Sequence, residues 1–136
     1  MKRILVMGLP GSGKTTLATA LAKKLNADHF NADAVRAQFN DWDFSPEGRI
    51  RQSYRMRELC DSSTATYAIA DFVCPLPGMR DIFAADYTVW MDTIFEGRFA
   101  DTNKMFVPPT VYNFYISSFD AAGIIDTLTN HIKNSL

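Results

Sequence analysis

Gly8-Leu9-Pro10-Gly11-Ser12-Gly13-Lys14-Thr15 is a complete G-x-x-x-x-G-K-[ST] phosphate-binding loop, and its flanks decide the fold. Upstream, Arg3-Ile4-Leu5-Val6-Met7 is a short apolar run suited to a buried parallel strand. Downstream, Leu17 to Leu25 carries apolar residues at helical spacing. Between a strand and a helix the motif has a mechanism. The glycines let successive backbone N–H groups curl toward phosphate oxygens, and the helix adds the positive end of its dipole. Gly8, Pro10, Gly11, Ser12, Gly13, Lys14, Thr15 and Thr16 are the expected nucleotide cradle. Lys14 reaches the β- and γ-phosphates and the Thr15 hydroxyl ligates Mg²⁺, so ATP and Mg²⁺ are the expected cofactors. A glycine-rich turn with a chance lysine is the competing reading, and the strand and helix around the motif argue against it.

The chain has 136 residues, enough for one domain over 1–136 with a real core and no second one. Its hydrophobic content of 47% is ordinary for a globular protein, and no apolar run approaches membrane-spanning length. No membrane association is expected. Met1-Lys2-Arg3 leads straight into the first strand, with no leader pattern. A formal net charge of −1 argues against holding nucleic acid by bulk electrostatics. Cys60 and Cys74 have neither metal spacing nor a disulfide framework and read as reduced thiols in a cytoplasmic protein. A small-molecule substrate is the expected partner, and a homodimer stays open.

Along the chain, His29 to Asn31 reads as the end of a second strand and Asp33 to Phe39 as a helix capped near Asn31 or Asp33. Asn40 to Ser45 is a polar and aromatic loop. Ser45-Pro46-Glu47 opens a longer helix to about Asp61, with Ser as cap, Pro at the first helical position and an acid in the first turn. Thr66 to Val73 is the next strand, Cys74 to Gly78 a loop, Met79 to Ala84 a short helix and Tyr87 to Met91 a fourth strand. Asp92 to Pro109 is irregular, Val111 to Ile116 suits a fifth strand at an edge, and Asp120 to Leu136 is a closing amphipathic helix. Alternating strands and helices imply a parallel, doubly wound sheet whose ligands bind beyond the carboxyl ends of its strands.

Several stretches together resemble the adenylylsulfate (adenosine 5′-phosphosulfate) kinases. The segment from Gly8 to Ala18 is similar to that family's phosphate loop. Asn31-Ala-Asp-Ala-Val-Arg36 looks like its D-G-D-x-V-R motif, and Phe44-Ser-Pro-Glu-Gly-Arg49-Ile-Arg-Gln52 is similar to F-S-x-x-x-R-x-x-N. Phe72-Val-Cys-Pro75 resembles F-I-S-P, and Phe99 to Pro109 lines up on F-T-G-I-D-x-P-Y-E-x-P. The resemblance implies an α/β P-loop NTPase fold of the kinase type, a three-layer sandwich around a five-stranded parallel sheet. It implies an ATP-dependent phosphotransferase of sulfate assimilation that phosphorylates the 3′-hydroxyl of adenylylsulfate. It also implies that Asp33 orients or deprotonates that hydroxyl and helps hold Mg²⁺. Arg36 and Arg49 would grip the acceptor's phosphosulfate, Phe44 and Phe99 would sandwich its base, and Gln52 would hydrogen-bond it. A carboxylate followed one helical turn on by an arginine suits this chemistry on its own terms, as proton acceptor and anion clamp.

The departures are specific. Asn31 stands in place of the first motif aspartate, Gln52 in place of asparagine, and Cys74 in place of serine, where a small apolar residue at a strand end is the plainer reading. Asp92 to Phe99 is too short for the family's helical lid, so a reduced lid is expected, with Arg98 and Lys104 as its remaining cations. Asp71, in an otherwise apolar strand, has no counterpart in the family. It reads either as a carboxylate contacting Mg²⁺ or its water, or as a strand-edge aspartate bound to backbone or water. Plain capping stays open for Asp33 and a solvated helix face for Arg49, while Arg51, Arg55 and Arg57 read as surface residues. Two rivals to the adenylylsulfate reading remain: a kinase of another nucleotide or small hydroxyl compound, and a nucleotide-binding regulator with little turnover.

Overall fold

The alternation read from the sequence closes into one parallel sheet in the computed structural model, which describes residues 1–94, 104–118 and 121–136. In chain order the elements are β1 (Lys2–Gly8), α1 (Lys14–Leu25), β2 (Asp28–Asn31), α2 (Ala32–Phe39) and α3 (Pro46–Asp61). They continue with β3 (Tyr67–Asp71), α4 (Pro77–Phe83), β4 (Tyr87–Met91), β5 (Phe114–Ile116) and α5 (Ala121–Ser135). The sheet order is β2-β3-β1-β4-β5, with every neighbouring pair parallel.

Period-two alternation along β1 divides the interior into two layers. Ile4 and Val6 enter a core with Leu17 and Leu21 of α1, Ile69, Val89, and Leu128 and Ile132 of α5. Leu5 and Met7 enter the other, with Val35 of α2, Met56 and Cys60 of α3, and Met79 and Phe83 of α4. The result is the three-layer sandwich around a five-stranded parallel sheet that the sequence implied. Leu21 is fully buried in the first core, where truncation to Ala costs about 2–5 kcal/mol.

Helix starts follow local chemistry. The Asn31 side chain accepts the Ala34 N–H to cap α2, and the Ser45 side chain accepts the Gly48 N–H to cap α3 with Pro46 behind it. Three boundaries differ from expectation by two residues or more, the first being β3, which ends at Asp71 instead of Val73. The loop after β3 ends at Leu76, because Pro77 supplies the fixed φ of a first helical residue and starts α4. The edge strand shortens to Phe114–Ile116, because the Asn113 side chain accepts the Thr88 N–H at 2.8 Å where a further ladder residue would have paired.

Strand register positions the site. Asp71, the last residue of β3, pairs with Val6 of β1 on one side and Asn31 of β2 on the other. The carboxyl ends of β1, β2 and β3 therefore bring the start of the phosphate loop, Asn31 and Asp71 together. The strand order reverses around β1, where parallel sheets of this kind open a crevice.

Candidate active site

The phosphate loop crosses from β1 to α1 under constraints from the neighbouring strand β4. Gly8 has φ +153°, and a Cβ there would lie 2.4 Å from the Met91 carbonyl oxygen, so glycine alone lets β4 approach the loop. Thr93, just after β4, donates its hydroxyl to the Ser12 carbonyl at 2.8 Å. Lys14 is buried at the first turn of α1 and donates its Nζ to the Leu9 carbonyl at 3.0 Å. Ser12 Oγ is buried and has no hydrogen-bond partner among the described residues. An orphaned buried donor is rare because it costs about 1–3 kcal/mol, and in this loop a phosphate oxygen would satisfy it. The loop thus fits a bound nucleotide phosphate.

Asp71 is the polar hub of the site. It is 2% exposed, and its Oδ1 accepts from the Thr15 hydroxyl at 3.2 Å and from Asn31 Nδ2 at 3.0 Å. Its Oδ2 makes a close contact with His29 Nε2. The same Asn31 amide reaches Thr15 Oγ1 at 3.1 Å, while its oxygen caps α2. This arrangement accounts for the amide at position 31. A second carboxylate there would stand within hydrogen-bond distance of Asp71, like charge against like, whereas an amide donates. The end of β2 thus carries an amide and the neighbouring end of β3 a carboxylate. Among the described residues no group of three or more His, Cys, Asp or Glu side chains could hold a metal by itself. A hard cation here would rest on Thr15 and Asp71, with phosphate oxygens and water completing the shell. His29 was not singled out in the sequence. Its alignment with Asp71 depends on the β2–β3 register, which no local pattern specifies.

An open cleft of about 770 Å³ runs from the phosphate loop past Asp71 to a second wall that carries Asp33, Trp42, Phe44 and Arg49. Asp33 sits exposed in the first turn of α2. The loop from Asp41 to Phe44 is tied down by arginines from two helices. Arg51 grips the Asp41 carboxylate with two hydrogen bonds, at 2.8 and 3.1 Å, and reaches Asp43 at 3.1 Å. Arg55 adds a bond to Asp41 at 3.2 Å. The Arg51 hydrogen bonds hold the Asp41 carboxyl well below the usual range. Ser45 and Arg51 lower that of Asp43. Gly48 permits the close packing, since a Cβ there would fall 2.1 Å from the Asp43 carbonyl oxygen.

Several side chains have duties that the motifs did not suggest. Arg36 is 4% exposed and donates to the carbonyls of Asp41 at 2.8 Å and Asp43 at 3.2 Å, its guanidinium 4.3 Å above the Phe44 ring. Burial lowers its pKa from the ordinary value. Arg49 stacks on the same ring at 5.4 Å and donates to the Phe44 carbonyl at 2.9 Å. Gln52, expected to meet an acceptor, is turned inward: its amide donates to the Ala32 carbonyl at 3.1 Å and accepts from Arg55 at 3.1 Å. Arg51 and Arg55, expected as mere surface residues, hold the loop, and the Arg55 side chain is only 15% exposed. Lys104 is exposed and is not among the residues lining the cleft. Arg98 and Phe99, and with them most of the expected reduced lid, lie outside the described residues.

Cys74 and Cys60 are buried free thiols, and burial pushes both up to about 12. Cys74 keeps the small apolar character read for it, at φ +49° in the turn after β3. No described helix is long and apolar enough to cross a membrane.

Residues 4–76, more than half of the chain, match the family model described as an AAA domain. No curated protein sequence matches the chain. Among solved structures, the APS kinase of Mycobacterium tuberculosis in complex with AMPPNP and APS superposes with a TM-score of 0.75 at 18% identity, covering 98% of this chain and 96% of that one. Shikimate kinase from Aquifex aeolicus gives 0.70 at 14% identity, covering 97% and 96%. A gluconokinase from Sinorhizobium meliloti gives 0.65 at 14% identity, covering 98% and 90%. Likeness at these identities establishes the P-loop kinase-type fold and leaves the acceptor undetermined.

Proposed function

The chain belongs to the AAA-domain family, and from that premise we propose that it is an ATP- and Mg²⁺-dependent kinase of a small hydroxyl compound, with the 3′-hydroxyl of adenylylsulfate as the preferred acceptor. The observation that carries this reading is the single cleft lined by Lys14, Thr15 and Asp71 on one side and Asp33 and Arg49 on the other. In the reaction the acceptor oxygen forms a bond to the γ-phosphorus, the bond to the β,γ-bridging oxygen breaks, ADP leaves, and the hydroxyl proton passes to the Asp33 carboxylate. Lys14 and the loop N–H groups offset charge on the phosphate oxygens, and Arg49 faces the anionic part of the acceptor. Mg²⁺, when bound, neutralises charge on the β- and γ-phosphates. The resemblance from Asn31 to Gln52 and the fold shared with an APS kinase that binds APS support this acceptor.

One observation favours a second reading. Arg36, the expected anion clamp, spends its Nη1 on two loop carbonyls, which suits a kinase of another nucleotide or hydroxyl compound. A coupled ADP-release assay with adenylylsulfate, nucleoside monophosphates, shikimate, gluconate and no acceptor separates the two. Stimulation by adenylylsulfate alone is the expected result. Stimulation by another acceptor selects the second reading, and none at all returns the chain to a nucleotide-binding regulator.

A further inference from the structure

Trp42 lines the cleft and is 52% exposed, and among the described residues its indole has no hydrogen-bond, ring or cation partner. Leaving a large aromatic surface in water forgoes the stabilisation that burial would bring. Yet both of its neighbours are tied down by arginines. Asp41 is gripped by Arg51 and Arg55, Asp43 by Arg51, and the carbonyls of both by Arg36. A loop immobilised on both sides of an unsatisfied aromatic ring is a preorganised platform, with its ordering entropy already spent before a ligand arrives. Phe44, 49% exposed, differs in already carrying the Arg36 and Arg49 guanidinium groups over its ring.

We propose that Trp42 is the stacking platform for the base of a purine nucleotide acceptor, and that it sets the acceptor class of this cleft. The chemistry of the wall separates a base from a polyol. Trp42 and Phe44 offer exposed aromatic surface and Val73 a half-buried apolar edge, whereas a sugar or cyclitol needs placed polar partners for each hydroxyl. At about 770 Å³ the cleft lies toward the upper end of small-molecule sites, roughly 300–1,000 Å³, and leaves room for an aromatic ligand beside the phosphate loop. Arg49, on the same wall, supplies positive charge for the ligand's phosphate. The acceptor role rests on the kinase reading above, but the stacking itself does not.

The test is calorimetric titration of adenosine 5′-monophosphate and of ribose 5-phosphate, each in the presence of a non-hydrolysable ATP analogue. The proteins compared are the wild type, Trp42→Leu and Trp42→Phe. Stacking on an aromatic predicts that Trp42→Leu weakens the monophosphate by roughly 5- to 150-fold, that Trp42→Phe retains binding within a few-fold, and that ribose 5-phosphate is unaffected. Affinity for the ATP analogue should change less than about twofold, which also reports that each variant is folded. Three results overturn the proposal: unchanged monophosphate binding in Trp42→Leu, a parallel loss of the ATP analogue, or adenosine 5′-monophosphate binding no better than ribose 5-phosphate. Trp42-dependent binding without turnover of any acceptor would sink the kinase reading and leave the platform standing. Equal turnover of a polyol by wild type and Trp42→Leu would do the reverse.

Discussion

Residues 8–16 make the nucleotide wall of the cleft almost entirely from neighbours in sequence, whereas the acceptor wall from Asp41 to Arg49 hangs from side chains of two helices. The first is a backbone curl closed by a short motif, with Gly8 admitting β4 and Lys14 folded onto the Leu9 carbonyl. The second is an electrostatic construction in which Asp41 and Asp43 draw together Arg36, Arg51 and Arg55. Asp71 stands between them and belongs to neither, reaching Thr15 on one side and His29 and Asn31 on the other. The difference teaches where damage should appear. Changes in the first wall should strike phosphoryl transfer directly, and changes in the second should act through acceptor affinity and loop order.

The most severe break is Lys14→Ala. No neutral donor of the loop replaces an ammonium beside the β- and γ-oxygens, so turnover should vanish and affinity for a non-hydrolysable ATP analogue should fall in equilibrium binding. Asp33→Asn comes next. It keeps shape but accepts no proton, so kcat should drop by about 10² or more while the acceptor KM moves little. Full kcat under chemistry-limited conditions would return Asp33 to a plain helix-start residue.

His29→Gln sharpens the role of the hub. It removes the imidazole that orients Asp71, and the Mg²⁺ concentration for half-maximal rate should rise about tenfold, with kcat recovered at saturating Mg²⁺. An unaltered metal requirement would make the His29–Asp71 contact purely structural.

Asp41→Asn probes the acceptor wall. It should raise the acceptor KM severalfold and leave the ATP KM alone. The pH dependence follows in sign. The Arg51 hydrogen bonds lower the Asp41 carboxyl in the folded state, so this stabilisation is present above the unfolded value of about 3.9 and is lost as pH falls through the lower folded value. Between about pH 5 and pH 2 the urea midpoint of the wild type should therefore fall more steeply than that of Asp41→Asn.

The smallest effect concerns the thiols, which belong to neither wall. Burial raises Cys60 and Cys74 to about 12. At about pH 8.5, where a free thiol is half ionised, a disulfide reagent should label neither cysteine in the folded protein and both after unfolding.

Most elements of the fold were legible because they depend on local periodicity and caps. The alternation in Arg3 to Met7, the Ser45-Pro46 start and the apolar stripe of the last helix each specify an element without reference to the rest of the chain. The errors fell at Phe72 and Val73, which lie beyond the end of β3, and at Pro77 and Asn113, where a first-turn proline and one side-chain hydrogen bond moved a boundary. In the cleft, Asp71 was noticed because a carboxylate in an apolar strand is costly, while His29 and Trp42 were not. One looks like an ordinary strand residue and the other like an ordinary loop aromatic.

By itself, the sequence determined the phosphate loop and the succession of strands and helices, since each rests on contacts within a few residues, and that alternation implied a parallel sheet. Tertiary structure alone decided which polar groups meet. The β2–β3 register sets His29 and Asn31 against Asp71. The packing of α3 beside α2 carries Arg51 and Arg55 to Asp41, turns Gln52 inward and spends Arg36 on the loop beneath Phe44. The physical reason is reach. A cap or an apolar stripe is satisfied within one or two turns of chain, whereas an arginine can satisfy whichever carboxylate or carbonyl the fold brings within about 3 Å of it.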